Sequence, residues 1–422
     1  MNVKLAYGSG ALAVELPDGR ATVIEPGHVT PIEDERAAVI AALENPIAAK
    51  PLREWIRPGA KVCISFSDIT RATPNERIIP WLLDHLSHVA REDITLVNQT
   101  GSHRPNTRPE LEQMLTPGVV DSYRVLNHEA DNPEELLRFG STRDGTPALI
   151  NRHVAGADVR IITGFIEPHF FAGFSGGPKG IMPGTAGLQT LMSNHGAKNI
   201  GNSKASFGIT EGNPIWEEMR DIALRVGPSF VLNVTLDTRR RITGVFAGDL
   251  IRAHKAGCEF VRRTAMQRVW NPFDIVVTTN SGYPLDQNLY QAIKGLSAGL
   301  RILKAGGTLI IAAECREGVP AGSPYDKLLK SASEPEELLA RIDSPGFSHP
   351  EQWQAQIQAR IQGQAEVLVH SSIPDETLRA AHLNPCRDIG AAVRQRLDAL
   401  GPAARVAVLP QGPLTIPYLQ GD

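Results

Sequence analysis

The sequence predicts an α/β protein with two domains, each built on a largely parallel sheet that is covered by helices. Short β-branched runs alternate along the chain with stretches compatible with helices, and the runs are apolar on both faces. A chain of 422 residues also exceeds what one hydrophobic core usually supports. Together these observations favour buried parallel strands in more than one domain.

Seven runs are predicted to form strands, and each ends in a polar or Gly-rich loop: 61–68, 93–101, 157–165, 273–282, 306–314, 365–372 and 404–410. In parallel sheets, ligands bind beyond the carboxyl ends of the strands. The polar clusters of this chain follow the predicted strands, at 68–71, 101–104, 167–179 and 280–294. We therefore expect the functional site at these strand ends.

A domain boundary is expected at 265–272, where a charged helix-like stretch gives way to Asn271-Pro272 and a new strand. The first domain would span 1–268 and also take up the last run, 404–422. The second domain would span 272–400. The Glu- and Gln-rich stretch at 333–364 is predicted to form solvated helices.

Charge and composition exclude several classes of partner. Lys and Arg number 43 and Asp and Glu 46, so nothing in the charge favours nucleic acid or an anionic membrane. The opening residues lack a signal-peptide pattern and no stretch is long and apolar enough for a membrane span, so a cytoplasmic protein is expected. The four cysteines form no CxxC pair, which favours reduced thiols in ordinary packing.

The segment 164–184 is rich in glycine and contains a single lysine, Lys179. Glycines allow backbone N–H groups to approach a phosphate, and a nearby lysine can act as a charge or a nucleophile. The segment is not a Walker A loop, because Pro178 precedes the lysine and Gly180 follows it. From these residues alone, a phosphate cradle and a plain turn both remain open.

Three histidines, His103, His169 and His195, fall at the ends of predicted strands or in the polar loops after them. Imidazole is both a common metal ligand and a side chain suited to proton transfer near neutral pH. Their spacing matches no zinc motif, and each taken alone is compatible with a structural or surface histidine.

Two further clusters combine groups that bind anions or hydroxyls. Asp68, Thr70 and Arg71 share one short loop, which suits a phosphate, a carboxylate or a ribose, or else a helix N-cap with a surface ion pair. Gln291 and Lys294 have the i, i+3 spacing of one helical face, which a solvated helix would explain equally well.

In combination these motifs resemble the nickel-pincer lactate racemase family. The order is Ser-Asp-x-Thr-Arg, Gly-Ser-His-Arg-Pro, His-x-Phe-Ala-Gly-x-x-Gly-Gly-x-Lys-x-Ile-Met-Pro-Gly, Asn-His and Gln-x-x-Lys, over residues 67–294, with a likeness extending to Trp353. The resemblance implies racemisation or epimerisation of a 2-hydroxy acid in a cleft between the two domains. It also implies a nickel pyridinium-3,5-bisthiocarboxylate mononucleotide, made by cofactor-biosynthesis proteins and held in the first domain.

The resemblance also implies a role for each matching residue. Lys179 would carry the covalent tether and His195 would bind nickel, while His103 and His169 would be the acid/base groups. The remaining residues would bind the cofactor or the substrate: Asp68, Ile69, Thr70 and Arg71 at the nucleotide, and Arg71, Tyr290, Gln291, Lys294 and Trp353 at the substrate.

The implied chemistry explains this set of residues. The α-proton of a 2-hydroxy carboxylate is very weakly acidic, so loss of hydride to an electrophilic ring is the easier path to a planar ketone. Hydride loss is coupled to loss of the hydroxyl proton, and each enantiomer needs its own base, hence two histidines.

Three positions depart from the family pattern: Ser102 replaces threonine, and Pro178 and Gly180 stand where we expect arginine and serine. Two alternatives remain open. The chain could be a non-catalytic binder or carrier of a phosphorylated ligand or nickel nucleotide, or a zinc enzyme that uses His103, His169 and His195 as ligands.

Overall fold

The computed structural model describes residues 1–419. Within this range the strands are β1 (Asn2–Tyr7), β2 (Gly10–Glu15), β3 (Ala21–Val23), β4 (Val62–Ser67), β5 (Ile94–Gln99), β6 (Arg124–Asn127), β7 (Leu136–Ser141), β8 (Pro147–Asn151), β9 (Val159–Phe165), β10 (Pro168–His169), β11 (Gly173–Phe174), β12 (Phe230–Leu236), β13 (Ile242–Asp249), β14 (Met266–Val269), β15 (Phe273–Thr279), β16 (Leu303–Ala312), β17 (Glu366–His370), β18 (Asn384–Pro385), β19 (Val406–Leu409) and β20 (Ile416–Leu419).

The helices in the same range are α1 (Glu35–Glu44), α2 (Leu52–Trp55), α3 (Asn75–His85), α4 (Arg108–Leu115), α5 (Pro117–Ser122), α6 (Arg152–Ala155), α7 (Leu188–Asn194), α8 (Ala197–Ile200), α9 (Pro214–Val226), α10 (Arg252–Ala265), α11 (Leu289–Leu300), α12 (Pro324–Leu329), α13 (Pro335–Ile342), α14 (Gln352–Gln362), α15 (Asp375–Ala380) and α16 (Ile389–Leu400).

The predicted α/β class is confirmed, and each of the seven predicted strands is present. They correspond to β4, β5, β9, β15, β16, β17 and β19. The residues of β4 and β9 are buried throughout, as expected for strands that are covered on both faces.

The chain divides into two compact units, which we call unit I (Val29–His195 and Asn202–Arg262) and unit II (Met1–His28, Gly196–Gly201 and the chain from Arg263 onward). Unit I contains a six-stranded sheet with the order β13-β12-β9-β4-β5-β6, in which only the pairing of β13 with β12 is antiparallel. The strand order reverses between β4 and β9. The loops that follow these two strands therefore flank the crevice where ligands bind in sheets of this kind.

Unit II contains a six-stranded sheet with the order β18-β17-β16-β15-β19-β3, and all of its pairings are parallel. One face of this sheet packs on α11, α12 and α14, and the other on α16 and the β1-β2 hairpin. Helix α11 is the next helix after β15 in the chain, and its middle packs at the carboxyl end of that strand, where the backbone N–H of Gly295 donates to Oδ1 of Asn280 at 3.1 Å.

The structure places both chain ends differently from the expected domain division. The expected first domain included the last run, 404–422, but Val406–Leu409 pairs with β15 on one side and β3 on the other, both in unit II. This strand is buried throughout and so takes a central position in a sheet. Residues 1–28 also belong to unit II. Residues 420–422 lie outside the described residues.

The Gln-rich helix α14 is not solvated, contrary to expectation. The side chains of Gln354, Gln356 and Gln358 are almost fully buried. Gln356 donates to the carbonyl of Ala197 at 3.0 Å, and Gln358 donates to the carbonyl of Ala381 at 2.8 Å. Backbone partners of this kind, supplied by distant segments, make buried amides tolerable.

The four cysteines are buried and none forms a disulfide. No helix within residues 1–419 has the length and the apolar character that crossing a membrane requires.

Candidate active site

The loop after β4 and the loop after β5 meet through a carboxylate–imidazole pair. Asp68 is 2% exposed, and its Oδ2 lies 2.7 Å from Nδ1 of His103. Its Oδ1 accepts the hydroxyl of Thr70 at 2.9 Å and lies 4.0 Å from Nε of Arg71. Both carboxylate oxygens are therefore engaged by groups of the protein itself.

The electrostatic surroundings keep Asp68 ionised. Burial alone would raise the pKa of its carboxyl group, but the charge and hydrogen bond of His103 and the charge of Arg71 outweigh burial, and the pKa lies below its ordinary value. An ionised carboxylate only accepts hydrogen bonds, so Nδ1 of His103 is the donor in this pair.

A network of buried asparagines fixes the same two loops. Oδ1 of Asn106 accepts the backbone N–H of Ile69 at 3.3 Å and the side-chain amide of Asn98 at 2.8 Å. Asn75 donates to the carbonyl of Ser67 at 2.8 Å. None of these asparagines was predicted from the sequence to belong to the site. The one signal available was Asn98, a polar residue that directly follows the apolar pair Leu96-Val97 of β5.

The glycine-rich segment is folded tightly against the sheet of unit I. Lys179 lies in the short 3-10 helix Gly177–Gly180. The backbone N–H of Gly177 donates to Oδ1 of Asn233 at 2.8 Å, and Nε2 of His254 lies 2.9 Å from the carbonyl oxygen of Ser175. Asn233 and His254 are buried, and neither was predicted to support the site.

Close packing explains the glycine that follows the lysine. A Cβ atom at Gly180 would lie 2.4 Å from Cγ2 of Ile162 and 2.9 Å from Nε2 of Gln99. The serine expected from the family pattern would therefore not fit in this arrangement without a shift of its neighbours. The backbone N–H of Gly101 donates to the carbonyl of Gly184 at 3.0 Å and so ties the loop of His103 to the segment of Lys179.

His169 lies on β10, which forms a short antiparallel pair with β11. Its Nδ1 accepts the backbone N–H of Ala172 at 3.2 Å. The ring of Phe171 contacts the ring of His169 edge-on at 4.5 Å between centroids, and it contacts the ring of His195 at 4.9 Å. One aromatic side chain thus touches two of the three predicted histidines.

His195 follows the last residue of α7 and is 4% exposed. Burial and the nearby positive charge of Lys179 lower the pKa of its imidazole to about 3. Its Nδ1 lies 3.0 Å from Oδ1 of Asn194, which accepts a hydrogen bond from the N–H of that nitrogen. At neutral pH the side chain is therefore a neutral imidazole oriented by an amide, which is the form that ligates metals.

In unit II, the four predicted substrate residues lie on two helices that pack together. On α11, Nζ of Lys294 donates to Oε1 of Gln291 at 2.7 Å. Nε1 of Trp353, on α14, donates to the hydroxyl of Tyr290 at 2.9 Å. The ring of Tyr290 also contacts that of Tyr325 edge-on, at 5.4 Å between centroids.

Within each unit the predicted residues are thus connected to one another. In unit I these are the loop residues Asp68, Ile69, Thr70, Arg71 and His103, joined through Gly101 and Gly184 to the segment of His169, Lys179 and His195. Within residues 1–419, no group of three or more His, Cys, Asp and Glu side chains is arranged to hold a metal ion. This arrangement does not favour the three-histidine zinc site, whereas a single histidine ligand would need no such group.

Comparison with known proteins identifies the family of the chain. Residues 7–208 match the family model described as the lactate racemase N-terminal domain, and residues 269–416 match the lactate racemase C-terminal domain. A lactate racemase of Thermoanaerobacterium thermosaccharolyticum is 36% identical over 97% of this chain and 98% of its own length. A lactate racemase of Lactiplantibacillus plantarum is 37% identical over 90% of each chain.

Solved structures give the same result. The lactate racemase apoprotein of Thermoanaerobacterium thermosaccharolyticum superimposes with a TM-score of 0.91 at 36% identity, covering 99% of this chain and 100% of that one. A protein of Thermotoga maritima matches with a TM-score of 0.69 at 19% identity, covering 91% of this chain and 98% of its own, and shares the fold. The chain is an isomerase of the racemase type and belongs to the lactate racemase family.

Proposed function

We propose that this enzyme racemises or epimerises a 2-hydroxy acid by reversible hydride transfer, with a nickel-pincer pyridinium nucleotide tethered to Lys179. The observation that carries the proposal is the orientation of His195. This buried imidazole donates from Nδ1 to Oδ1 of Asn194 at 3.0 Å, so Nε2 of the neutral ring carries the lone pair. A metal ligand must be unprotonated at the nitrogen that binds, and Lys179 lies in the glycine-rich turn Gly177–Gly180 of the same unit.

The surrounding residues fit such a group. The turn of Lys179 is held by Asn233, and Gly176 and Gly177 have backbone φ angles of +77° and +53°, so the backbone is fixed in a conformation that glycine allows. Ile69, Thr70 and Arg71 follow β4 at the reversal point of the sheet and would hold the nucleotide, together with Asp68. His195 would contribute the protein's imidazole to the nickel.

When bound, the nucleotide would supply an electrophilic ring, tuned by nickel and sulfur, as a reversible hydride acceptor for the α-carbon of the substrate. His103 and His169 would accept and return the hydroxyl proton for the two enantiomers. The guanidinium of Arg71 and the ammonium of Lys294 would bind the carboxylate, assisted by Gln291. The side chains of Tyr290 and Trp353 would line the substrate site.

The test uses protein made in cells that also produce the cofactor-biosynthesis proteins. Intact mass, nickel content and turnover of a panel of 2-hydroxy acids are measured for the wild type and for Lys179→Ala. We expect the substitution to abolish the mass adduct and all turnover, whereas Lys255→Ala, a change at an exposed lysine of α10, should alter neither.

Variants at the two acid/base histidines distinguish catalysis from simple binding. His103→Ala and His169→Ala should retain the adduct and the nickel but lose about 10²- to 10⁴-fold in turnover. A protein that binds the nucleotide and turns over no 2-hydroxy acid would contradict the proposal and favour a carrier. Stoichiometric zinc lost on mutation of any one of the three histidines would favour a zinc enzyme instead.

A further inference from the structure

We infer that the two proposed acid/base histidines are held in opposite tautomers, His103 with its proton on Nδ1 and neutral His169 with its proton on Nε2. Asp68 imposes the first tautomer and the backbone N–H of Ala172 imposes the second. The catalytic meaning of this asymmetry rests on the proposed function, but the tautomers themselves do not. Asp68 thereby becomes a positioning residue of the reaction, in addition to any contact with the nucleotide.

The arrangement at His103 admits one neutral tautomer. The carboxylate of Asp68 can only accept, and Nδ1 of His103 lies 2.7 Å from its Oδ2. The carboxylate cannot easily rotate away, because Thr70 donates to its other oxygen at 2.9 Å and the group is buried. Neutral His103 therefore carries its lone pair on Nε2 and can act as a base there. Proton uptake on Nε2 leaves the bond to Asp68 in place and makes it charge-assisted.

The arrangement at His169 is the reverse. A backbone N–H can only donate, and the N–H of Ala172 points at Nδ1 of His169 at 3.2 Å. Nδ1 therefore carries the lone pair, and the proton of the neutral ring lies on Nε2. Rotation of the ring by half a turn would replace Nδ1 by a carbon, and the edge-on contact with Phe171 at 4.5 Å between centroids restricts such rotation.

Further protonation of His169 would place a proton on Nδ1, opposite the N–H of Ala172. That change removes a hydrogen bond from a buried amide, which nearly always has a partner in folded proteins. A doubly protonated ring thus keeps its hydrogen bond to Asp68 at His103, whereas at His169 it loses its hydrogen bond with Ala172.

This difference gives the two histidines different starting roles. With both rings neutral and a substrate bound as proposed, Nε2 of His103 would be a proton acceptor for the substrate hydroxyl, and Nε2 of His169 would be a hydrogen-bond donor to the substrate oxygen. A substrate whose hydroxyl faces His103 can react at once, since its proton passes to Nε2 as hydride leaves the α-carbon. Reaction on the side of His169 needs a change at that ring: to accept a hydroxyl proton on Nε2 it must first move its own proton to Nδ1, and to donate a proton it must first be doubly protonated, and both changes break the hydrogen bond with Ala172. The equilibrium constant between two enantiomers fixes the ratio of their kcat/KM values. The difference between the two histidines is therefore expected as unequal kcat values and unequal KM values for the two enantiomers.

Nitrogen NMR tests the tautomers without any cofactor. Protein labelled with ¹⁵N in histidine is measured at neutral pH, and His103→Gln and His169→Gln assign the two signals by their loss. His128 serves as an internal reference, because its Nε2 lies 2.9 Å from the carbonyl of Ala186 and must carry the proton. We expect the Nδ1–H pattern for His103 and the Nε2–H pattern for His169. The same pattern at both residues, or the reverse assignment, would overturn the inference.

Asp68→Ala supplies the matching variant. The signal of His103 should move toward the Nε2–H form, while His169 and His128 keep theirs. In cofactor-loaded enzyme the same variant should retain the adduct and nickel and lose on the order of 10²-fold in kcat, a loss that Asp68→Glu partly restores. Unchanged tautomers in Asp68→Ala would refute the role of Asp68. Tautomers as expected in a protein without racemase activity would instead refute the proposed function alone.

Discussion

Replacement of Gly177 by alanine probes the glycine-rich segment most sharply. A Cβ atom at this position would lie 2.4 Å from Cγ, 2.6 Å from Cδ2 and 2.8 Å from Cβ of His254. Carbon atoms in contact normally lie about 3.5–4.0 Å apart, so His254 or the segment must shift by about 1 Å. Such overpacking costs about 1–3 kcal/mol, and the positive φ of +53° adds about 1–2 kcal/mol for a residue with a side chain.

The expected loss is therefore about 2–5 kcal/mol, or roughly 4–20 °C in the melting temperature of unit I. Gly59→Ala is the matched control, since Gly59 has a φ of +78° in the same unit and nothing within 4 Å of its Cβ position. Calorimetry of both variants separates overpacking from backbone strain, because only overpacking differs between them. Adding His254→Ala to Gly177→Ala should recover part of the loss. Equal melting temperatures for Gly177→Ala and Gly59→Ala would refute the packing described for this segment.

Two further predictions concern the same unit. The pKa of the His195 imidazole is lowered to about 3 from an ordinary 6.5. Between these two pH values the unfolded chain binds a proton that the folded protein does not bind. The free energy of unfolding therefore falls as the pH decreases below 6.5. His195→Gln should remove up to about 1.4 kcal/mol of this loss per pH unit, which is measured as melting temperatures between pH 6.5 and 4.5. A substitution of the exposed His88 should leave the pH dependence unchanged. If melting temperature depends on pH in the same way in His195→Gln and in the wild type, the burial of a neutral imidazole is contradicted. Asn233→Ala leaves the backbone N–H of Gly177 without its acceptor and should lower the free energy of unfolding by about 1–3 kcal/mol. The control Asn45→Ala, at an exposed asparagine, should change it little. Equal effects of the two substitutions would show that Asn233 does not hold the segment.

The sequence was sufficient for the fold class because the buried strands are continuous apolar runs, such as β4 and β9. It was insufficient for the chain ends. Val406–Leu409 has the composition of a central strand for either sheet, and only its pairing with β15 and β3 decides which. The burial of α14 was missed for a similar reason, because the acceptors of its glutamines come from segments distant in the chain.

The same limit applied to the site. The motifs singled out Asp68 and His103 individually, and the structure shows that they are hydrogen-bonded to each other across 35 positions in the chain. Asn233 and His254 support the segment of Lys179 from strand β12 and helix α10, and no local pattern marks them. Residues that contact ligands tend to lie in recognisable sequence motifs. The residues that pack against those motifs are distant in the chain and show no regular spacing from which they could be predicted.

The proposed mechanism has the α-hydrogen leave the substrate and return to it as hydride. Its most direct test gives cofactor-loaded enzyme a 2-hydroxy acid that it turns over, labelled with deuterium at the α-carbon, in ordinary water. If the hydrogen travels with its electron pair to a bound acceptor and back, the product of opposite configuration retains its deuterium. Replacement of deuterium by solvent hydrogen at the rate of inversion would mean that a proton is abstracted, and would contradict the account.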